Sequence, residues 1–213
     1  MKTILLFGAG KSATVLIDYL LENAITENWK VIVADADLQL ARSKTSVSQH
    51  ALAVSFDIND ERARNQYIRE ADIVISLLPP ALHILVAASC LELGRNLLTA
   101  SYVDDAIKAL EPGIRQKKLL FLCEMGLDPG IDHMSAMQLI DGIRAKGGHI
   151  DSFVSHCGGL VAPESDDNPW HYKISWNPRN IILAGKAGAH FRENGAEKKL
   201  SYDELFNPDR QVD

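Results

Sequence analysis

Ile4-Leu5-Leu6-Phe7-Gly8-Ala9-Gly10-Lys11-Ser12-Ala13 decides the fold: four apolar residues run straight into a Gly-x-Gly-x-x-Ala turn, and an amphipathic stretch follows. The order is strand, glycine turn, helix. A buried strand that opens directly into such a turn brings backbone N–H groups and a helix N-terminus against whatever occupies it, which suits a pyrophosphate. Gly10-Lys11-Ser12 also resembles the end of a nucleoside-triphosphate loop. That motif needs a glycine five residues before Gly10, where this chain has Leu5. The turn therefore reads as a dinucleotide site, with Gly8, Gly10, Lys11, Ser12 and Ala13 as cofactor-binding residues.

Outward from the turn, short β-rich runs alternate with helical patterns. The later strand candidates are Lys30 to Ala34, Ala51 to Phe56, Ile73 to Leu78, Asn96 to Thr99 and Leu119 to Cys123. This alternation predicts parallel strands joined by crossover helices. The strands are nearly continuous Val, Ile and Leu, as in a doubly wound sheet covered on both faces. Ala13, Leu16, Ile17, Leu20, Leu21 and Ala24 form one apolar helical stripe, with Asp18 and Glu22 facing away. Pro79-Pro80 ends the fourth strand and starts the next helix, where the fixed φ and missing N–H of proline are tolerated.

Asp35 closes the second strand, 25 residues after Gly10, where a carboxylate can accept hydrogen bonds from both hydroxyls of an adenosine ribose. This favours NAD and leaves NADP open, because Arg42 and Lys44 lie near enough in sequence to soften repulsion of a 2′-phosphate. Asp57 follows the third strand and can meet the adenine amino group. Ser76 and Leu77, at the end of the fourth strand, run past the cofactor. Asp35 and Asp57 are also ordinary loop carboxylates. Their shared place at strand C-termini, where such sheets bind ligands, raises them above that.

The remaining composition narrows the class. With 213 residues, 46% hydrophobic and 23% charged, the chain is an ordinary globular sequence of one large or two small domains. A net charge of −6 without blocks of Lys or Arg argues against a nucleic-acid surface. No apolar run approaches the ~20 residues a bilayer requires. Cys90, Cys123 and Cys157 are odd in number and widely spaced, which fits reduced thiols in a cytoplasmic protein. The seven histidines contain no spaced metal constellation, so no metal is assigned and they are read as structural or exposed.

After Cys123 the pattern changes. Gly126-Leu127-Asp128-Pro129-Gly130-Ile131-Asp132-His133 leads into a helix through about Lys146, broken by Gly147-Gly148. A strand-like run, Ile150 to Cys157, precedes a turn-rich segment, and apolar-alternating pieces follow at Tyr172 to Trp176 and Ile181 to Leu183. The expected organisation is a nucleotide-binding domain over 1–125 and the start of an α+β domain with a mostly antiparallel sheet over 126–213.

Gly8 to Ala13, Ala100-Ser101-Tyr102-Val103, the Gly126 to His133 segment, His156-Cys157-Gly158-Gly159-Leu160 with Pro163-Glu164, and Tyr172-Lys173-Ile174-Ser175-Trp176 with Pro178-Arg179 resemble the saccharopine dehydrogenases of the L-glutamate-forming type. The resemblance runs along nearly the whole chain. It implies a Rossmann-type doubly wound domain followed by part of a substrate and dimerisation domain, and so a homodimer. It also implies NAD(P)-dependent oxidation of the secondary amine of saccharopine, whose imine is hydrolysed to glutamate and 2-aminoadipate 6-semialdehyde in lysine metabolism. Members typically run to about twice this length. The chain is therefore expected to be a fragment or a truncation that turns over poorly alone.

Within the resembling motifs, Tyr102, Asp128 and Cys157 are the candidates for acid–base work, because amine oxidation and imine hydrolysis both need proton transfer. Each has a plainer role open to it. Asp128 before Pro-Gly can cap a helix, Tyr102 can pack its ring, and Cys157 can be an inert thiol. Ala100 is placed with the cofactor, and Ser101, Tyr102, Asp128, Trp176 and Arg179 with the substrate. Arg179 is the fork for one of saccharopine's three carboxylates. Two other functions stay open. One is a carboxynorspermidine- or homospermidine-type imine reductase, to which the acidic run Glu164-Ser165-Asp166-Asp167 points. The other is a non-catalytic NAD(P)-binding protein.

Overall fold

The computed structural model describes residues 1–46, 48–155, 161–173, 188–205 and 207. Six strands form one parallel sheet: β1 (Lys2–Phe7), β2 (Trp29–Asp35), β3 (Ala51–Ser55), β4 (Ile73–Ser76), β5 (Asn96–Thr99) and β6 (Phe121–Leu122). Their spatial order is β3-β2-β1-β4-β5-β6. All five pairings are parallel. This is the Rossmann order, whose direction reverses between β1 and β4 and leaves a crevice outside their C-terminal ends.

The helices between them are α1 (Thr14–Asn23), α2 (Leu38–Thr45), α3 (Glu61–Glu70), α4 (His83–Leu93), α5 (Asp105–Ala109) and α6 (Glu111–Gln116). Successive strand residues point to opposite faces, and the core accordingly divides in two. Leu5, Phe7, Ile32 and Val74 pack with Ile68 of α3 and Val86 and Cys90 of α4. Ile4, Leu6, Val31 and Val33 pack with Ile17, Leu20 and Leu21 of α1 and Ala41 of α2. A sheet covered on both faces explains why β1 and β2 carry unbroken apolar runs. The Pro79-Pro80 pair starts a 3₁₀ turn, Pro80–Leu82, that leads into α4.

Beyond the sheet, α7 (Ile131–Ala145) buries none of its residues. Gly147 at φ 77° follows it, in the left-handed conformation that ends a helix. The chain divides into two compact units, 1–153 and 154–213. In the second, β7 (Ala189–Glu193) and β8 (Ala196–Leu200) form an antiparallel hairpin. Its two-residue turn, Asn194-Gly195, has φ of 51° and 78°, the primed geometry that matches strand twist.

The strand expected from Ile150 onward is corrected as far as it is described. Residues 150–155 are not extended into any sheet, and Phe153 and Val154 are exposed. A strand exists only through its ladder, and among the described residues none pairs with this segment. Most of the expected pieces at Tyr172 to Trp176 and Ile181 to Leu183 lie outside the described residues.

Candidate functional site

At the end of β1 the Gly8 amide donates to Ala34 O at 2.8 Å, and the Leu77 amide donates to Phe7 O at 2.8 Å. Gly8 sits at φ 98°, and a Cβ there would stand 2.9 Å from Leu77 O. Both facts require glycine. Gly10 faces open space, and Gly10, Lys11 and Ser12 are exposed while Ala13 is buried against the sheet. The 3₁₀ turn Lys11–Ala13 continues into α1, so the amides that open it have no intrahelical acceptor, the arrangement that suits an anion.

Asp35 accepts the Ala9 amide at 2.7 Å on one oxygen and the Asp37 amide at 2.9 Å on the other. It thus ties the glycine turn to the end of β2. Each oxygen keeps a lone pair for a ribose hydroxyl. Lys44, on α2, donates to Gly10 O at 2.6 Å and to Thr14 Oγ1 at 2.7 Å. A cation therefore stands at the mouth of the glycine turn. Asp57 accepts the amide and the side chain of Asn59, both at 2.9 Å. These two bonds hold its carboxyl below the usual range. It closes an Asx turn after β3.

The ends of β4, β5 and β6 form the second part of the site. Ser76 is fully buried, and its hydroxyl lies 2.8 Å from His83 Nδ1. The other ring nitrogen, Nε2, lies 2.7 Å from Ser101 Oγ. The Ser101 amide donates to Thr99 Oγ1 at 3.2 Å, so the backbone and the hydroxyl of Ser101 are both tied to the ends of β4 and β5. Ala100 packs against Gly126, where a Cβ would approach its own at 3.2 Å. The Glu124 and Met125 amides donate to Ser101 O and Thr99 O, which holds the loop after β6 alongside the loop after β5.

That lacing brings two sequence candidates together: Tyr102 Oη donates to Asp128 Oδ1 at 2.6 Å. The bond to Asp128 is the main reason the Tyr102 phenol is pushed up to about 12, with burial and the charges of Asp128, Asp132 and Glu124 adding to it. Tyr102 is therefore a proton donor at neutral pH, and Asp128 is the acceptor beside it. Asp128 does not cap α7, whose N-cap Gly130 receives no side-chain cap; Asp132, in the first turn, accepts the Gly130 amide on Oδ1 at 2.8 Å. Gly130, at φ 149°, allows the chain to fold back so closely that a Cβ would lie 2.2 Å from Gly126 O. Cys157, Trp176 and Arg179 lie outside the described residues.

His83 is the participant that reading the sequence passed over. It opens an apolar helix and sits in no motif, so the one available signal was its position just after Pro79-Pro80 at the end of a strand. Among the described residues, no three His, Cys, Asp or Glu side chains are grouped to hold a metal ion. No helix among them is long and apolar enough to cross a membrane.

Comparison with known proteins bears on both parts of the site. Residues 4–122 match the family model described as the saccharopine dehydrogenase NADP binding domain, and 126–213 match the saccharopine dehydrogenase C-terminal domain. Saccharopine dehydrogenase [NADP(+), L-glutamate-forming] of Pyricularia oryzae is 37% identical over 96% of this chain and 45% of its own. Alpha-aminoadipic semialdehyde synthase of Arabidopsis thaliana is 37% identical over 90% of this chain and 20% of its own. The structure of apo saccharopine dehydrogenase (L-Glu forming) from Saccharomyces cerevisiae superposes with a TM-score of 0.82 at 37% identity, covering 96% of this chain and 45% of that one. The chain thus spans about half the length, or less, of the relatives it matches.

Proposed function

The chain belongs to the saccharopine dehydrogenase family, and from that premise we propose that it serves NAD(P)-dependent oxidation of the CH–NH bond of saccharopine, yielding glutamate and 2-aminoadipate 6-semialdehyde. Residues 4–122 are an NAD(P)-binding domain. The observation that carries the reaction is the Tyr102–Asp128 hydrogen bond of 2.6 Å, built where the ends of β5 and β6 converge.

The glycine turn and Asp35 fit a dinucleotide, which when bound supplies the acceptor for the hydride leaving the substrate carbon. Loss of that hydride and of the amine proton leaves an imine, and addition of water splits it into amine and aldehyde. Tyr102 holds its proton to well above neutral pH and offers it as a hydrogen bond to the oxygen or nitrogen of the adduct formed when water adds to the imine. Asp128 orients the phenol and accepts a proton from amine or water. Ser101 offers its hydroxyl to a substrate oxygen. Cys157, Trp176 and Arg179 complete this assignment, Arg179 as the carboxylate fork and Cys157 as a further acid–base group.

Asp35 favours NAD. Lys44 places a compensating cation at the turn, which supports NADP as the working nucleotide, as the names of the relatives suggest for those proteins. We take the functional boundary at 125/126, a reading supported by one family match that ends at residue 122 and another that begins at 126. Reduced Cys90 and Cys123 fit a cytoplasmic setting, and the second domain is assigned to homodimerisation.

Titration of the protein with NADPH and NADH, followed by assay with saccharopine, tests the reading. Nucleotide binding with slow saccharopine-dependent reduction of NADP+, abolished by Asp128→Asn, is expected. Turnover of a polyamine imine instead would replace the substrate. Nucleotide binding without turnover of any imine would leave a non-catalytic protein.

A further inference from the structure

The residues beneath Ser101 form a relay that neither the family match nor the proposed chemistry uses. His83 is 4% exposed and its ring is bracketed by three hydroxyls. Ser76 Oγ at 2.8 Å and Thr99 Oγ1 at 3.4 Å face Nδ1, and Ser101 Oγ at 2.7 Å faces Nε2. Ser76 is completely buried, and Nδ1 is the partner of its hydroxyl. Thr99 Oγ1 accepts the Ser101 amide at 3.2 Å, and its own proton is available to Nδ1 at 3.4 Å. A bare Nδ1 satisfies both neighbouring hydroxyls as their acceptor, the buried Ser76 at short range and Thr99 at longer range. A neutral imidazole with a bare Nδ1 has its proton on Nε2.

We infer that His83 is a positioning residue: its Nε2–H donates to Ser101 Oγ, fills the acceptor side of that hydroxyl, and turns the Ser101 proton outward as a fixed donor. The donor serves an acceptor oxygen at the ends of β4 and β5, either the carboxamide oxygen of a nicotinamide or a substrate carboxylate. Burial pushes the His83 pKa down, against the opposing charge of Asp104, so the ring stays neutral when Ser101 works. The identity of the acceptor rests on the saccharopine dehydrogenase reading; the tautomer does not.

Two-bond ¹H–¹⁵N correlation of the histidine rings in the nucleotide-free protein reads the tautomer directly. Protonated Nε2 with bare Nδ1 is expected, and Ser76→Ala should shift the ring toward a mixture. A proton on Nδ1 in the unmodified protein overturns the inference, whatever the protein's activity. Ligand binding supplies the second arm. His83→Gln keeps a donor where Nε2 stands and His83→Asn does not, with thermal unfolding of both confirming the fold.

His83→Asn and Ser101→Ala should each weaken one ligand about five- to tenfold, with no further loss in the double variant, while His83→Gln stays within about twofold of the unmodified protein. A loss seen with NADPH alone identifies the carboxamide. A loss confined to saccharopine added to the NADP+-bound protein identifies the carboxylate. Additive losses, or equal losses in His83→Gln and His83→Asn, contradict the relay. Absence of nucleotide binding in the unmodified protein would strike the functional reading and leave the tautomer measurement standing.

Discussion

Tyr102 and Asp128 show how little of a site a motif states. Each lies in a segment that resembles a family pattern, but 26 residues separate them and nothing in either segment says that they touch. The contact depends on the loops after β5 and β6 running side by side, a tertiary fact. With Asp128 as its partner, the phenol titrates near 12 rather than 10. Asp128→Asn should therefore bring it back toward the ordinary value of a tyrosine, read as tyrosinate absorbance in an alkaline titration. Because the folded pKa is raised, the protonated phenol favours the folded state below its ordinary pKa. That contribution disappears as pH rises through about 12. Tyr102 is 60% exposed, so solvent screens much of this effect.

Lys44 makes a second argument at this scale. Its ammonium group lies on the glycine turn rather than free in solvent. Lys44→Ala should weaken NADPH about tenfold while changing NADH much less, since only the former brings a 2′-phosphate, worth a charge-assisted hydrogen bond. Equal losses for both nucleotides would mean that the lysine only braces the turn. Asp35 was legible from its place after β2. Its double hold on the Ala9 and Asp37 amides was not, because sequence spacing says nothing of which backbone donors fill a carboxylate.

At the scale of elements, the sheet was the most legible part. Its central strands are buried on both faces, so their composition needs no partner to be understood, and β5 covers Asn96–Thr99 as its composition suggests. The antiparallel part was less so: residues 150–155 have the composition of a strand without a described neighbour to pair with. The β7–β8 hairpin, in contrast, carried a readable signal in Asn194-Gly195 that an eye drawn to apolar alternation misses, since Glu193 and Lys198 do not resemble a buried strand.

Two glycines separate strain from crowding. Gly195→Ala meets open space at φ 78°, so only backbone strain opposes it. It should cost about 1 kcal/mol, seen as faster hydrogen exchange of the β7–β8 amides. Gly8→Ala meets both a φ of 98° and Leu77 O at 2.9 Å. It should cost the first unit about 2–3 kcal/mol in urea unfolding and abolish nucleotide binding.

For the molecule as a whole, topology assembles the function. The reversal of strand order between β1 and β4 opens the crevice, and the residues that matter cluster at the C-terminal ends of β1, β2, β4, β5 and β6. In the proposed function the glycine turn, Lys44 and Asp35 serve the phosphates and ribose, and His83, Ser101, Tyr102 and Asp128 serve the reacting end. Everything assigned to the nucleotide lies within residues 4–122, so cofactor binding by that span is expected. Equilibrium titration of NADPH against the purified protein, followed by nucleotide fluorescence, is the direct measurement. Saturable one-to-one binding with a Kd in the ~1 μM to 1 mM range, lost in Gly8→Ala, is the predicted result; failure of the unmodified protein to bind either NADPH or NADH would contradict it.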